Sequence, residues 1–206
     1  MPRTFALDTV PPDEALTRLR EGNRRFVSGD GSAFRRWHPG LVDGQAPFAS
    51  ILGCSDSRAP AEYVFDQGLG DLFVIRVAGN VVAPSLVGSV EFAASKFGTR
   101  LVVVMGHTQC GAVGATVDAL EAGPASRSKN LQSIVNRITP HVQHLISGPG
   151  DHQARLAAAV HANALASARE LRSSSPLLQE LIECGRVVIV AAVYDLATGV
   201  VTFLDA

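Results

Sequence analysis

The sequence predicts an α/β fold in which helices pack on both faces of a mostly parallel central sheet. Apolar runs without strict polar alternation recur along the chain, as in strands that are buried on both faces. Segments with helical spacing of apolar residues separate these runs, an order typical of parallel sheets. We expect about four parallel strands, an antiparallel closing strand and an N-terminal helical arm, all in a single domain of residues 1–206.

The first predicted segment is a helix and arm at residues 11–44. A Pro-Pro-Asp start and apolar residues at near-helical spacing predict a helix at 11–27. Residues 29–44 follow as a connecting arm rich in glycine and charge. A helix and long arm ahead of the first core strand are typical of a segment that packs on a neighbouring subunit, and we expect 11–44 to do so.

Five further runs predict the strands. The parallel strands are expected at residues 47–53, 71–77, 100–106 and 186–193. A turn at 195–199 leads into a closing strand at 200–204, and the pair is predicted to form a hairpin.

Helices are predicted between and after these strands, at residues 84–97, 112–120, 131–145, 152–172 and 176–184, with a short helical or irregular crossover at 61–70. The helix at 84–97 has the clearest bounds, because Pro84 suits a first helical turn and Gly98 suits the position after the last. Pro140 is expected to kink or divide the helix at 131–145.

Composition limits the partners and the compartment. A 47% hydrophobic share fits a compact protein, and a formal charge of −1 argues against nucleic acid or an anionic membrane as a partner. No apolar run approaches the roughly 20 residues that span a bilayer. Three cysteines and no secretory pattern at the start indicate a reducing compartment, so we expect a cytoplasmic protein.

Two predicted strands each end in residues that bind soft metals. The run at 47–53 ends in glycine and delivers Cys54, and the run at 100–106 delivers His107 and Cys110. The carboxyl ends of parallel strands share one edge of a sheet, where binding sites gather. Zinc prefers Cys and His ligands, and three protein ligands leave a coordination position open. This pattern predicts a catalytic zinc site.

Other interpretations of the same residues stay open. A structural zinc site normally has four protein ligands, and Asp56 is the nearest fourth candidate; such a site would suit a non-catalytic binding module. A cysteine nucleophile is a further alternative, but no group is evidently placed to orient His107 as a base.

Asp56 and Arg58 follow Cys54 at alternating positions. A carboxylate beside the zinc can accept a hydrogen bond from a zinc-bound water, and an arginine that holds this carboxylate keeps it ionised and away from the metal. The resulting zinc-bound hydroxide would attack a small electrophilic carbon. The alternative is an ordinary surface ion pair.

The motifs Cys54-Ser55-Asp56-Ser57-Arg58 and His107-Thr108-Gln109-Cys110-Gly111 together resemble the two signatures of β-class carbonic anhydrases. The resemblance continues through residues 21–26, 66–71 and 76–80 and covers nearly the whole chain. It implies one Zn2+ per chain on Cys54, His107 and Cys110, with Asp56 and Arg58 as the catalytic dyad. The implied reaction is the reversible hydration of CO2 to bicarbonate and a proton.

The same resemblance implies a homodimer or homotetramer with active sites at the dimer interface, which would give residues 11–44 a neighbour to embrace. Gln45 matches a substrate-binding glutamine, and Phe73 and Phe92 resemble an apolar pocket wall, all three supplied by the partner subunit. Gly111 matches a backbone contact to bound substrate. The alternatives are core packing for each phenylalanine and a tight turn for the glycine.

A regulated subgroup of this family closes its site when the aspartate, here Asp56, becomes a fourth zinc ligand, and it binds bicarbonate in a Trp, Arg and Tyr pocket. Arg76 and Tyr194 match two of these positions, but Ile51 replaces the tryptophan. We therefore expect an open site with little bicarbonate cooperativity. The closest rival function is hydrolysis of carbonyl sulfide or carbon disulfide on the same scaffold.

Overall fold

The computed structural model describes residues 9–31, 39–123 and 128–204. Within this part of the chain, the strands are β1 (Ala49–Gly53), β2 (Leu72–Arg76), β3 (Leu101–His107), β4 (Val188–Tyr194) and β5 (Val201–Leu204). They form one sheet in the order β2-β1-β3-β4-β5. The first four strands are parallel and β5 pairs with β4 in the antiparallel direction, so the predicted sheet is confirmed.

The helices of the described residues are α1 (Pro12–Ser28), α2 (Ala61–Val64), α3 (Pro84–Phe97), α4 (Gly111–Ala122), α5 (Lys129–Val142), α6 (His152–Ser173) and α7 (Pro176–Glu183). Helix α3 has the predicted bounds, whereas the crossover is helical only in α2. Pro140 lies inside the last turn of α5, and a 3-10 turn at Gln143–Leu145 follows the end of this helix. Of the predicted loop after α4, residues 124–127 lie outside the described part.

Strands β1 and β3 form the centre of the core, and every residue in them is buried. Adjacent strand residues face opposite sides of a sheet. Ile51 accordingly packs in a cluster with Leu19 of α1, while Leu52 packs on the other face with Leu171 of α6. Each such side chain contributes ~1.5–3 kcal/mol when it is fully buried. Apolar clusters on both faces therefore hold the sheet between the helices.

Helix α1 packs on the sheet of its own chain. Asn23 is buried and donates from Nδ2 to the carbonyl oxygens of Val64 (3.0 Å) and Gly199 (2.9 Å), while its Oδ1 accepts from the Val201 amide (2.9 Å). The expected packing on a partner subunit therefore concerns the outer face of α1 and the arm. Residues 32–38 of this arm lie outside the described part.

The pairing of β1 with β3 positions two strand ends side by side, since Gly53 at the end of β1 is level with Met105 near the end of β3. The residues that follow these strands, Cys54 and the 107–110 segment, therefore share the carboxyl edge of the sheet. Among the described helices, none has both the length and the apolar character to span a membrane.

Candidate metal centre

Three metal-binding side chains meet at the carboxyl edge of the sheet. Cys54 follows β1, His107 ends β3, and Cys110 precedes α4. Their ligand atoms lie within 4.8 Å of one another, and the two Sγ atoms are 4.0 Å apart. All three residues are buried. The structure thus brings together the three residues that the sequence predicted as ligands.

His107 presents one nitrogen to this cluster. Its Nδ1 donates to the Thr108 carbonyl oxygen at 2.9 Å, which leaves Nε2 with a free lone pair in the neutral ring. Nε2 is buried and has no hydrogen-bond partner among the described residues. A buried, unsatisfied nitrogen beside two thiols is costly unless something binds it. These donors fit a zinc ion, which takes Cys and His ligands.

The Sγ atoms of Cys54 and Cys110 form one hydrogen-bonded pair. The hydrogen bond from Cys110 lowers the pKa of Cys54; burial opposes this shift, and His107 and the Gly79 amide reinforce it. The pKa of Cys110 is raised, because its thiol donates to Cys54 and is itself buried. Burial lowers the pKa of His107, but the negative charge of the adjacent Cys54 sulfur produces a net rise. A thiolate at Cys54 is the form that binds metal.

The turn between His107 and Cys110 contains a feature that sequence reasoning missed. Gln109 adopts a left-handed φ of 58°, which is uncommon for a residue other than glycine. This conformation reverses the chain within three residues, so that the end of β3 and the start of α4 both face the cluster. Sequence offers no local signal for it, because glutamine is not a residue that favours this region.

Asp56 and Arg58 form a bidentate pair beside the cluster. Arg58 donates from Nε to Asp56 Oδ1 at 2.9 Å and from Nη2 to Oδ2 at 2.7 Å, and its backbone amide donates to Oδ1 at 2.9 Å. These hydrogen bonds hold the pKa of Asp56 well below its usual range. Asp56 Oδ2 lies 3.8 Å from His107 Nε2. The carboxylate is therefore ionised, held and adjacent to the ligand atoms.

A cavity of about 420 Å³ adjoins this pair, lined among others by Arg58, Gln109, Leu156 and Leu196. Its wall combines the guanidinium of the dyad with apolar side chains from α6 and from the turn after β4. The cavity gives a small molecule space beside Arg58.

The predicted substrate-pocket residues lie in two places. Gly111 begins α4 next to Cys110. Gln45 precedes β1 and is exposed, and Phe73 is level with Ser50 near the amino end of the sheet. Ser50 and Cys54 are four positions apart, which corresponds to about 13 Å along a strand. Within one chain, the structure does not bring Gln45 or Phe73 to the Cys54 cluster.

Phe92 lies on the surface of α3, and about half of it is exposed (52%). Its ring centroid is 6.2 Å from that of Phe73 and 5.6 Å from that of Phe97. Phe73 is only partly buried. These rings form an aromatic surface on the β2 side of the sheet.

The residues expected to bear on regulation have structural contacts of their own. Ile51 is fully buried in β1, and Tyr194 pairs with His107 at the ends of β4 and β3. Arg76 donates to the carbonyl oxygens of Cys54 (2.9 Å) and Asp56 (2.6 Å). Arg76 thus supports the backbone that carries the ligand and the dyad.

Comparison with known proteins agrees with this arrangement. Residues 49–201 match the family model for carbonic anhydrase. Carbonic anhydrase 2 of Mycobacterium tuberculosis is 37% identical over 196 residues, which cover 91% of this chain and 90% of that protein.

Solved structures give the same result. A tetrameric β-carbonic anhydrase of Sordaria macrospora superposes with a TM-score of 0.73 at 22% identity, covering 90% of this chain and 94% of that one. The β-carbonic anhydrase CafA of Aspergillus fumigatus superposes with a TM-score of 0.69 at 26% identity, covering 81% and 79%. The family match, the identity and the shared fold show that this chain belongs to the β-class of carbonic anhydrases.

Proposed function

We propose that this chain catalyses the reversible hydration of CO2 at one zinc ion held by Cys54, His107 and Cys110. The observation that carries this proposal is the buried, unpartnered Nε2 of His107 within 4.8 Å of two cysteine sulfurs. Bound zinc supplies a Lewis acid that lowers the pKa of a water ligand, which makes a hydroxide nucleophile available near neutral pH.

Asp56 accepts a hydrogen bond from the reacting water and orients it. The hydrogen bonds from Arg58 keep the Asp56 carboxylate ionised at neutral pH and hold it in place. An ionised carboxylate only accepts hydrogen bonds, so the water must donate a hydrogen bond to it and keep a lone pair for the carbon. Arg58, whose side chain is 56% exposed, remains within reach of an anionic product from the cavity side.

Gly111 contributes a backbone amide to bound substrate. As the first residue of α4, it has an N–H with no intrahelical acceptor, and the helix N-terminus favours a bicarbonate anion there. A Cβ built on Gly111 meets nothing within 4 Å, so the space beside the Cα of this residue is open.

The apolar wall of the pocket comes from a partner subunit in a homodimer or homotetramer. Gln45 and Phe73 lie toward the opposite edge of the sheet from their own chain's Cys54, so only another copy can bring them to this site. The exposed aromatic surface of Phe73 and Phe92 supports this role. The Sordaria macrospora relative is described as tetrameric.

The metal site also bears on the compartment. Zinc binding needs Cys54 and Cys110 in the reduced state, and neither forms a disulfide in the structure. A reducing compartment preserves them, and we place the protein in the cytoplasm on this basis. The family match does not favour the alternative sulfur substrates, carbonyl sulfide and carbon disulfide.

Stopped-flow CO2 hydration with a pH indicator tests this proposal, on protein whose zinc content has been measured by elemental analysis. We expect rapid hydration at one zinc per chain, and loss of hydration in Cys54→Ala and Asp56→Ala. Zinc at one per chain with no hydration from pH 6.5 to 9 would overturn the proposed activity. Sulfide release from carbonyl sulfide would then identify the rival substrate class.

A further inference from the structure

A buried asparagine far from the ligands in sequence is connected to Cys54. Asn163 of α6 is 0% exposed, and its Nδ2 donates to the Gly79 carbonyl oxygen at 2.9 Å. Gly79 lies in the 3-10 turn Ala78–Asn80 that follows β2, and its amide donates to Cys54 Sγ at 3.4 Å. The carbonyl group of Gly79 thus contacts Asn163, and the amide of the same glycine contacts the Cys54 sulfur.

His141 of α5 fixes the orientation of Asn163. The Asn163 side-chain nitrogen must point to the Gly79 carbonyl, so its Oδ1 is the atom that lies 3.0 Å from His141 Nδ1. His141 Nδ1 therefore donates, and its ring is mostly buried, with 12% side-chain exposure. Its Nε2 faces Glu170 Oε2 at 3.5 Å. The chain of contacts runs from His141 through Asn163 and Gly79 to Cys54.

The Gly79 turn depends on outside support for its shape. Gly79 has a left-handed φ of 73°, and a Cβ there would lie 2.8 Å from Ile138 Cδ1 and 3.1 Å from Ala112 Cβ. Ile138 lies on the same helix as His141, one turn earlier. Helices α5 and α6 therefore both contact this turn, and Asn163 of α6 donates a hydrogen bond to the Gly79 carbonyl oxygen.

A hydrogen bond to a thiolate draws negative charge from the sulfur and fixes its direction. Groups that orient metal ligands in this way tune the metal's affinity and electronic state, and their loss commonly costs about 10–100-fold in affinity or activity. We propose that Asn163, oriented by His141, is a positioning residue that keeps the Gly79 amide on the Cys54 sulfur and so sets the metal affinity of the site. This role rests on the proposed zinc site at Cys54.

A purely structural Asn163 would tether α6 to the turn without affecting the sulfur. The two roles predict different spectra for cobalt-substituted protein. The charge-transfer band from thiolate to Co2+ reports how strongly the sulfur donates electrons to the metal, and only the positioning role predicts that this band changes. Asn163→Leu is close in size and has no hydrogen-bonding group. We expect its charge-transfer band to move to longer wavelength and its Zn2+ affinity, measured by chelator competition, to fall about 10–100-fold.

Two variants of His141 provide a matched pair. His141→Asn places an amide nitrogen where the ring Nδ1 donates to Asn163, and it loses the contact with Glu170. His141→Gln places its nitrogen near the Nε2 position and loses the donor to Asn163. We expect His141→Asn to keep the wild-type band and His141→Gln to shift it in the direction of Asn163→Leu. His144→Gln, at an exposed histidine on the following turn, is the control for a change of histidine alone.

Each outcome is decisive. An unchanged band and affinity in folded Asn163→Leu, or equal spectra for His141→Asn and His141→Gln, overturn the positioning role. The His141 pair still decides the question if Asn163→Leu fails to fold. Wild-type protein that binds Co2+ without a thiolate band overturns both this role and the zinc assignment. The wild type could show the thiolate band and the variants a shifted band while the zinc-loaded wild type does not hydrate CO2. This result would overturn the proposed activity and leave the positioning role intact.

Discussion

Arg76 holds the backbone of Cys54 through the carbonyl oxygen, which accepts from Arg76 Nε at 2.9 Å. The same guanidinium donates from Nη2 to the Asp56 carbonyl oxygen at 2.6 Å. One side chain at the end of β2 therefore fixes the segment that carries both the proposed metal ligand Cys54 and the proposed catalytic carboxylate of Asp56. A lysine keeps the charge but cannot reproduce the planar fork.

We therefore predict that Arg76→Lys lowers kcat/KM for CO2 hydration by about 10–100-fold, the range for loss of groups that orient a metal site. Stopped-flow hydration and zinc analysis of the same samples measure the effect. Arg100→Lys is the matched control, because Arg100 also donates to two carbonyl oxygens, those of Arg186 and Gly185, at the amino end of the sheet. An equal loss in both variants would contradict a specific role for Arg76.

Asp56→Asn should lower kcat by about 10²–10⁴-fold, the range for a group that handles a proton in the transition state. The amide keeps the shape of the carboxylate, but it is neutral, so its single acceptor oxygen holds the reacting water more weakly and cannot accept both hydrogen bonds of the Arg58 side chain at once. We expect the zinc content to stay at the wild-type level, since Asp56 is paired with Arg58 in this structure. Joint loss of zinc and activity would instead identify Asp56 as a metal ligand.

Zinc should stabilise the protein only when its ligands are intact. A ligand present at about 1,000 times its Kd stabilises the folded state by ~4 kcal/mol. We predict that added Zn2+ raises the Tm of metal-stripped wild type and of Cys184→Ser, whose thiol is exposed, but not of Cys110→Ser. Thermal melts with and without Zn2+ measure the difference. A zinc-dependent rise of equal size in Cys110→Ser would contradict its place among the ligands.

The sequence was sufficient to predict that Cys54, His107 and Cys110 lie close together, because the signal is local. Cys54 and His107 stand directly at the ends of glycine-containing apolar runs, and parallel neighbouring strands bring such ends together. The Asp56–Arg58 pair is equally local, because its members are two positions apart in sequence. Helix α3 was predicted with its observed bounds, since Pro84 and Gly98 mark its ends.

The residues that support the site could not be predicted from the sequence, because their contacts join segments that are far apart in the chain. Asn163 and Gly79 are 84 positions apart, and nothing in either segment indicates that α6 packs on this turn. The left-handed Gln109 is set by the packing around the turn and not by the preference of glutamine. Some observed elements also begin or end a few residues from the predicted positions. Strand β4 begins at Val188 and not at Arg186, because the amides of Arg186 and Val187 donate to the Leu181 carbonyl oxygen in α7.

Glu121 of α4 lies away from the proposed metal site, and its ion pairs lead us to expect that the stability of the protein depends on pH. It accepts from Arg155 at 2.7 Å and lies 3.0 Å from His152 Nδ1, which links α4 to α6. The hydrogen bonds from His152 and Arg155 lower the pKa of Glu121. A carboxyl with a lowered pKa in the folded state contributes stability above its unfolded pKa of about 4.3, and this contribution is lost as the pH falls through the folded value.

We therefore predict that Glu121→Gln lowers the Tm at pH 7 by a small amount, as expected for a partly exposed ion pair, and that this difference shrinks as the pH falls below the unfolded pKa of about 4.3. Calorimetric melts of wild type and variant from pH 3 to pH 7 measure it. Glu183→Gln, at the exposed last residue of α7, serves as the control. A difference that grows on acidification would have the wrong sign and would contradict the assignment.

The shared active site can be tested by combining two damaged subunits. Gln45→Ala removes the residue that a partner is proposed to supply, and Asp56→Ala removes the residue that the chain supplies to its own site. In a heterodimer of these variants, one site receives an intact Asp56 from its own chain and an intact Gln45 from the other chain. The second site lacks both.

Co-expression of the two variants should consequently restore activity. Random pairing makes half of the dimers mixed, and half of the sites in these are intact, so we expect about a quarter of the wild-type rate above the residual activity of the parents. Stopped-flow hydration of doubly tagged, purified heterodimers gives the measurement directly, with an expected half of the wild-type rate. A rate equal to the mean of the two parent variants would show that Gln45 acts within its own chain or not at all. Such a result would conflict with the placement of Gln45 at the amino edge of the sheet, away from its own Cys54.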